Sequence, residues 1–319
     1  MEREELQYIP PVPVTDPAEF PHDDAVPEGC VVVDGLRDTF GPAVDCRIAV
    51  YAERDGVPLH VHVYEPTVPP FFAAFEEAGK QLRPLIVYVP GSAFHKQQMF
   101  LSANLCIRMA ARGYVVAAVE YRPSEVAPFP AQMQDCKTAI RYLKKNASEY
   151  RLDSERIALW GASSGGHTIL MAGFTGDDEP DTDLYREYSA SVNCLVDWFA
   201  PTDFAKMNCA PSAQDHSAPD SPEGFEIGRL NVLEHPEIAE RTVPMNYLRA
   251  DKATPPLLIM HGGRDMLVPF QQSCMLFQKM RELGKDVTFI KLDHANHGFL
   301  GFDCDEALDM VGEFIKKHI

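Results

Sequence analysis

The sequence lacks the features that mark several large classes of protein. No apolar run approaches the ~18 residues of a membrane span, and the first residues, MEREELQYIPPVPV, lack the basic and apolar regions of a secretory signal. HExxH spacing is missing, and the eight cysteines include no CxxC pair, so neither a zinc site nor a disulfide-stapled miniprotein is expected. We therefore expect a cytoplasmic protein with buried free thiols, no metal, no organic cofactor and no membrane partner.

Basic residues are also scarce. The chain has 29 Lys and Arg against 47 Asp and Glu, a formal net charge of −18. Proteins that bind nucleic acid neutralise phosphates with basic surfaces, so this balance argues against a nucleic-acid partner and against strongly anionic substrates. Hydrophobic residues make up 45% of the chain, enough for a large core, and global disorder is excluded.

Short apolar runs alternate with helix-like stretches along most of the chain. Runs that are continuously apolar and rich in β-branched residues are typical of strands buried on both faces. They read PLIVYVP, GYVVAAVEY, RIALWG, SVNCLVDWFAP and PPLLIMHG, and two earlier strand-like runs, CRIAVYAE and VPLHVHVYEP, precede them. The second early run alternates apolar and polar residues, which indicates a half-exposed antiparallel strand. The pattern predicts an α/β fold with a doubly wound, mostly parallel sheet and helices on both faces.

Two segments depart from the alternation. Residues 1–29 are proline-rich with little periodicity and are predicted to form an extended N-terminal arm. Residues 203–250 carry several prolines and no clean period, which favours a small cap-like insertion over a purely structural loop. The rest, residues 30–319, is expected to be a single catalytic domain that contains this insertion.

The stretch LWGASSGGHT contains the pattern G-x-S-x-G at residues 161–165. It follows a predicted strand and opens a predicted helix, which is the context that this motif requires. Gly161 and Gly165 remove side chains that would clash where strand and helix meet. Ser163, and not Ser164, is therefore predicted to be a nucleophile that projects above the sheet.

A serine hydroxyl needs a base to become nucleophilic, and in hydrolases of this architecture the order along the chain is serine, acid, histidine. Asp265, in HGGRDMLVP, and His297, in HANHGF, each follow a predicted strand downstream of Ser163. Both fall at the edge of the sheet where sites form in open α/β folds. We predict that these two residues complete a triad with Ser163.

Other side chains near these positions offer alternative pairings. Asp265 has Arg264 and Lys252 as alternative partners, and His294 competes with His297 for the role of base. His294 lies closer to the end of its strand, whereas Gly298 lets His297 turn back. His261 is expected to make a structural hydrogen bond. His60 and His62 alternate on an early strand and indicate a solvated or cross-strand face.

Donors for a developing oxyanion are expected in two places. One is the backbone N–H of Ser164, the residue after the nucleophile. The loop that follows PLIVYV reads PGSAF, and its small residues Ser92 and Ala93 would let their N–H groups approach a substrate carbonyl. Phe94, Trp198 and Phe225 are candidates for an acyl or aromatic wall of the pocket, with ordinary core packing as the alternative for each.

These motifs occur in an order that resembles the α/β-hydrolase superfamily, and more narrowly the hormone-sensitive-lipase-like esterases, especially feruloyl and acetyl esterases of carbohydrate-degrading bacteria. The resemblance covers about residues 45–319 and rests on PGSAF, VVAAVEYRPSEVAPFPAQMQDCKTAIRYL, RIALWGASSGGH, APTDF, HGGRDMLVP and HANHGF. It implies a serine esterase, and it implies a scaffold network for Tyr121, Arg122 and Asp135. Where the wider family has His-Gly-Gly-Gly-Trp, this chain has Pro-Gly-Ser-Ala-Phe.

The expected function is hydrolysis of a small carboxylic ester through an acyl-enzyme, with hydroxycinnamoyl (feruloyl or chlorogenate-type) or short acyl (acetyl) esters of plant- or carbohydrate-derived molecules as substrates. Arylformamidase activity and a small-substrate amidase or peptidase of the same fold are the alternatives. A non-catalytic ligand-binding homologue is a further alternative, disfavoured because all three triad positions are filled. A small-molecule ester is the expected partner, and a homodimer stays open as the assembly.

Overall fold

A mixed sheet of eight strands runs through the computed structural model, which describes residues 10–11, 13, 19, 21–32, 43–67, 82–298 and 301–319. The strands are β1 (Ala43–Arg54), β2 (Val57–Thr67), β3 (Arg83–Val89), β4 (Val115–Val119), β5 (Leu152–Ala162), β6 (Cys194–Trp198), β7 (Leu257–Gly262) and β8 (Val287–Leu292). Their spatial order is β1-β2-β4-β3-β5-β6-β7-β8. β1, β2 and β4 pair antiparallel, and the remaining neighbours pair parallel.

The first two strands form a hairpin that closes through Asp55 and Gly56. Both residues have positive φ, 51° and 73°, which is the backbone that a two-residue hairpin turn with native twist requires. β2 then pairs antiparallel with β4. The prediction of an antiparallel strand ahead of a parallel core is therefore confirmed.

Helices cover both faces of the sheet, and this explains why every residue of β4, β6 and β7 is buried. The longer helices are α1 (Ala103–Ala111), α2 (Ala131–Lys145), α3 (Ser164–Thr175), α6 (Gln271–Glu282) and α7 (Asp305–His318). One apolar core joins the sheet to α2, α3 and α6, and a second joins its other face to α1 and α7. The predicted doubly wound α/β architecture is confirmed.

The segment between β6 and β7 contains only short elements. It holds α4 (Pro222–Glu226), α5 (Pro236–Ala239) and 3-10 turns at Phe204–Cys209, Glu240–Thr242 and Pro244–Tyr247. A small apolar cluster of Phe204, Ile227, Val232 and Ala239 packs on Phe94, in the loop after β3. The insertion at residues 203–250 is thereby fixed above the carboxyl ends of the strands.

The N-terminal arm and the cysteines were the subject of two further expectations. Most of the arm at residues 1–29 lies outside the described residues, and residues 21–29 are exposed. All eight cysteines are free, as expected, but burial is confirmed only for Cys106, Cys136 and Cys194, because Cys30, Cys46 and Cys209 lie on the surface. Within the described ranges, no helix combines the length and apolar character that crossing a bilayer demands.

Arg122 ties the first hairpin to the helical layer. Its guanidinium donates to both carboxylate oxygens of Asp135 on α2, and its Nη1 donates to Asp55 at 2.7 Å. The scaffold role that the resemblance implied for Arg122 and Asp135 matches this geometry.

Candidate active site

Ser163 occupies a sharp turn between the end of β5 and the first residue of α3. Its φ of 55° and ψ of −125° are unusual for a residue with a side chain and mark a strained backbone of the kind that accumulates at functional sites. The turn is held by a hydrogen bond from the Ser163 N–H to the carbonyl of Trp198, at 2.8 Å. The predicted strand–Ser163–helix context is confirmed.

Glycines around this turn are required by close backbone contacts. A Cβ on Gly161 would lie 2.3 Å from the carbonyl oxygen of Gly165, and a Cβ on Gly165 would lie 2.0 Å from that of Val89. A Cβ on Gly166 would lie 2.7 Å from the Asp197 carboxylate. No side chain fits in these gaps, so α3 packs directly against the strand ends and Ser163 is pushed above the sheet.

His297 and Asp265 meet Ser163 at this edge. Nε2 of His297 lies 2.9 Å from Oγ of Ser163, and Nδ1 of His297 lies 2.8 Å from Oδ2 of Asp265. Ser163 follows β5, Asp265 follows β7 and His297 follows β8, so the ends of three parallel strands at one edge of the sheet supply the constellation. Asp265 is fully buried, while the His297 side chain is 15% exposed toward the cavity.

The Asp265 carboxylate is held in its ionised form. Its Oδ1 accepts hydrogen bonds from the backbone N–H groups of Leu267 and Val268, both at 2.9 Å. Burial alone would raise the pKa of Asp265, but the interactions with His261 and His297 outweigh it and hold this pKa well below its usual range. A permanently charged carboxylate can orient His297 and stabilise its cation.

The alternative partners lie elsewhere. The His294 side chain is 81% exposed beside Asp293, and Lys252 donates to Asp178 at 2.6 Å. His261 does contact the triad, with its Nε2 3.2 Å from Oδ2 of Asp265, and it also bonds to Ser273 and to the carbonyl of Val268, as expected of a structural histidine.

The early-strand histidine His60 pairs with Glu120, at 2.8 Å. This contact joins β2 to the residue that follows β4, which fits the cross-strand face expected from the sequence.

The three predicted oxyanion donors divide into two groups. Among the described residues, the N–H groups of Ala93 and Ser164 have no hydrogen-bond acceptor, and both residues line the same cavity as Ser163. The N–H of Ser92 instead donates to Oγ of Ser164 at 2.9 Å. Contrary to expectation, Ser92 therefore supplies no free donor, because the hydroxyl of Ser164 consumes its N–H.

A chain of hydroxyl groups fixes this loop. The Ser92 hydroxyl donates to the carbonyl of His95, which leaves it to accept from Tyr121 at 2.8 Å. The Tyr121 phenol then accepts from the Ser164 hydroxyl at 3.0 Å. Because each hydroxyl has one proton to donate, these bonds and the Ser92 N–H define one direction for the whole chain. Burial raises the pKa of Tyr121 far above the neutral range, so the phenol stays protonated.

A cavity of about 310 Å³ opens over Ser163. Phe94 and Trp198 line it, as the sequence predicted. Phe225 does not; its ring packs on His95 with centroids 4.9 Å apart and carries the guanidinium of Arg229 on one face. The prediction for Phe225 is therefore wrong, because α4 directs this ring away from the cavity.

Several lining residues were missed from the sequence. They are Tyr88, Gln98, Leu101, Ser102, Leu105, Phe199, Pro201, Gln214, Pro222, Glu223, Leu267, Val268 and Asp303. Only Leu267 and Val268 carried a signal, since they directly follow Asp265 along the chain. Within the described part of the chain, no group of three His, Cys, Asp or Glu side chains is placed to hold a metal ion.

Comparison with known proteins identifies the class. A truncated carbohydrate esterase from gut microbiota superposes with a TM-score of 0.73 at 28% identity, covering 85% of this chain and 95% of that one. Est2, an esterase of the planctomycete Thermogutta terrifontis solved with propionate bound, has a TM-score of 0.65 and covers 88% of this chain and 96% of its own, but at 22% identity it supports the fold alone.

Curated proteins of similar sequence are also named as esterases or ester hydrolases. Esterase LipC of Mycobacterium tuberculosis is 28% identical over 224 residues, which is 68% of this chain and 53% of LipC. The chain spans about half the length of three curated relatives that it matches, LipC, LipM and LipQ. The fold and these relatives together define an α/β-hydrolase that is similar to named esterases. The BD-FAE family profile matches residues 74–280, well over half of the sequence, and the chain belongs to this family.

Proposed function

We propose that this protein is a serine carboxylic-ester hydrolase whose catalytic residues are Ser163, His297 and Asp265. The observation that carries the proposal is the continuous contact from Ser163 Oγ to His297 to the buried Asp265 carboxylate, at 2.9 and 2.8 Å. This is the arrangement that activates a serine hydroxyl for acyl transfer.

In the first step, Ser163 attacks the ester carbonyl while His297 Nε2 takes its proton. Asp265 holds the imidazole so that Nε2 faces the serine, and it stabilises the imidazolium that forms. The N–H groups of Ala93 and Ser164 receive the negative charge that develops on the carbonyl oxygen. The imidazolium then gives its proton to the departing alcohol, which leaves an acyl group on Ser163.

In the second step, His297 takes a proton from a water molecule as it attacks the acyl-enzyme. The same two N–H groups stabilise the second oxyanion. Return of the proton from His297 to Ser163 releases the carboxylic acid and restores the resting site. Apart from the ester and this water molecule, only side chains and backbone groups of this chain take part in the two steps.

The substrates we propose are hydroxycinnamoyl or short acyl esters of plant- or carbohydrate-derived molecules. Tyr88, Leu105 and Trp198, which belong to one apolar cluster, give the cavity aromatic and aliphatic lining, which suits an acyl group. The similarity to a carbohydrate esterase supports the alcohol part. The net charge of −18 disfavours anionic esters.

We also propose that residues 203–250 act as a cap over the bound ester. Gln214, Pro222 and Glu223 from this insertion line the cavity together with Ser163. Its attachment to Phe94 through the apolar cluster would hold the cap against the loop that carries Ala93.

Hydrolysis of a small panel tests the function. The panel contains p-nitrophenyl acetate and butyrate, methyl ferulate, chlorogenate, an acetylated xylo-oligosaccharide and N-formylkynurenine. We expect turnover of the esters, and a loss of about 10³-fold or more in kcat for Ser163→Ala with an unchanged thermal midpoint. Exclusive turnover of N-formylkynurenine would identify an arylformamidase instead, and equal activity of wild type and Ser163→Ala would overturn the assignment.

A further inference from the structure

One carboxylate in the cavity wall has no part in the triad. Glu223, the second residue of α4, lines the cavity although its side chain is only 3% exposed. The turn that precedes it is fixed, because the Ser221 hydroxyl caps α4 by accepting from the Gly224 N–H at 2.9 Å. The cap therefore fixes the backbone that carries Glu223.

Within the described ranges, His216 is the ionisable side chain that contacts the Glu223 carboxylate. Oε2 of Glu223 lies 3.0 Å from Nδ1 of His216, whose side chain is fully buried. The two atoms lie within ion-pair distance but do not meet hydrogen-bond geometry, and neither has another hydrogen-bond partner among the described residues. Burial alone would lower the pKa of His216, but interaction with Glu223 helps to raise this pKa, which favours the charged imidazolium. Nε2 of His216 lies 2.9 Å from the carbonyl of Leu267 and so donates to it. His216 thus joins α4 to the loop that carries Asp265.

The Glu223 carboxylate is under-satisfied for its degree of burial. An ionised carboxylate accepts up to about four hydrogen bonds, and leaving these unmade in a buried site is costly. Across the described ranges, no N–H or O–H group donates to either oxygen of Glu223. Donors from a molecule that fills the cavity would remove this deficit.

The position of Glu223 indicates which part of an ester would supply those donors. Glu223 is linked through His216 to the carbonyl of Leu267, whose N–H binds the Asp265 carboxylate. Gln214 lies on the same segment, because its neighbour Ala213 donates to the carbonyl of Met266 at 2.7 Å. This is the side of His297, which has to reach the leaving oxygen. The apolar part of the lining, which includes Tyr88, Leu105 and Trp198 of one packed cluster, suits the acyl group.

We propose that Glu223 is a specificity residue that accepts hydrogen bonds from hydroxyl groups of the alcohol part of the substrate. The preferred alcohol is then a polyhydroxylated, sugar-like molecule. The inference rests on the proposed esterase function and adds the residue that selects the leaving group. His216 acts as a positioning residue, because it neutralises Glu223 and keeps its carboxylate beside the cavity.

Two esters with the same acyl group test this selection: an acetylated xylo-oligosaccharide, whose alcohol is rich in hydroxyls, and p-nitrophenyl acetate, whose alcohol has none. Glu223→Gln keeps the shape of the side chain and removes its charge. We expect kcat/KM for the oligosaccharide to fall about ten-fold, mainly through KM, as lost hydrogen bonds to a charged group do. The value for p-nitrophenyl acetate should stay within about two-fold.

Glu237→Gln is the matched control, because Glu237 also faces a histidine in the insertion, His235 at 3.5 Å, but is 68% exposed. It should leave the ratio of the two kcat/KM values unchanged. The ratio is independent of the folded fraction, so partial misfolding of Glu223→Gln cannot imitate the effect. An unchanged ratio in Glu223→Gln, or a wild type that hydrolyses only p-nitrophenyl acetate, would overturn the inference and leave the esterase function intact. A wild type inactive on every ester would overturn both.

Discussion

The backbone N–H of Ser92 donates a 2.9 Å hydrogen bond to the hydroxyl of Ser164, the residue that follows the candidate nucleophile. This bond joins the loop after β3 to the first turn of α3, the two places from which the oxyanion donors come. The hydrogen-bonded hydroxyl groups of Ser92, Tyr121 and Ser164 fix the same loop. Ser92 and Ser164 thus provide an anchor for the loop in a chain that has Pro-Gly-Ser-Ala-Phe where the wider family has His-Gly-Gly-Gly-Trp.

Removal of this anchor should reduce catalysis without removing a reacting group. In Ser164→Ala the backbone N–H of residue 164 remains, but the Ser92 N–H loses its acceptor and the loop that carries Ala93 is less firmly placed. We expect kcat for p-nitrophenyl acetate to fall about ten-fold, less than the ~10²–10³ typical of losing an oxyanion donor outright. Tyr121→Phe, which keeps the Ser164 acceptor, should cost less. A wild-type kcat in Ser164→Ala would contradict the anchoring role.

Substitution of a glycine in the nucleophile turn should change stability very differently from substitution of a glycine that has open space around it. Gly165→Ala places a methyl group 2.0 Å from the carbonyl oxygen of Val89, and we expect a loss of more than about 3 kcal/mol in the free energy of unfolding. Gly312→Ala on α7 meets nothing within 4 Å and should gain about 0.5–1 kcal/mol from helix propensity. Urea unfolding of both variants measures the contrast. Equal stabilities would show that the turn can relax around a methyl group.

Asp197, beneath the nucleophile turn on β6, should make stability depend on pH. Burial raises the pKa of Asp197 to about 8, its Oδ1 accepts from the Ala200 N–H, and its Oδ2 has no partner among the described residues. A group whose pKa rises on folding makes its full contribution to the free energy of unfolding at pH values below its unfolded pKa of about 4. This contribution is lost as the pH rises toward the folded pKa of about 8.

Asp197→Asn tests this sign, because the amide stays neutral at every pH. We expect the free energy of unfolding of the variant, relative to that of the wild type, to rise by a few kcal/mol between pH 5 and pH 8. Urea titrations at the two pH values give the difference, in which the other titrating groups cancel. A gap between variant and wild type that is the same at pH 5 and pH 8 would mean that Asp197 does not take up a proton in this range.

Periodicity was sufficient to predict the sheet from the sequence. Continuous apolar runs such as PLIVYVP became strands buried on both faces, and the alternating run VPLHVHVYEP became the antiparallel β2. The order of Ser163, Asp265 and His297 along the chain was sufficient to predict the candidate triad. Each residue follows a strand, and the carboxyl ends of parallel strands meet at one edge of the sheet. These features are local patterns, which a sequence displays directly.

What sequence reasoning missed depends on contacts between distant residues. Nothing near Ser92 shows that its N–H is taken by a hydroxyl 72 positions away. The insertion has no hydrophobic period, and the direction of each of its side chains follows from short turns. The aromatic ring of Phe225 suggests a cavity wall, but Pro222 and Glu223 are the residues that line the cavity. Such details follow from packing and not from composition.

Covalent labelling with a fluorophosphonate probe tests the central claim most directly, because the probe reacts only with an activated serine. The experiment compares wild type, Ser163→Ala and Asp265→Asn, and maps the modified residue by peptide fragmentation so that Ser163 and Ser164 are distinguished. We predict rapid labelling of the wild type at Ser163, none in Ser163→Ala, and slow labelling in Asp265→Asn, where His297 loses its orienting charge. An unlabelled wild type, or a label on Ser164, would contradict the triad.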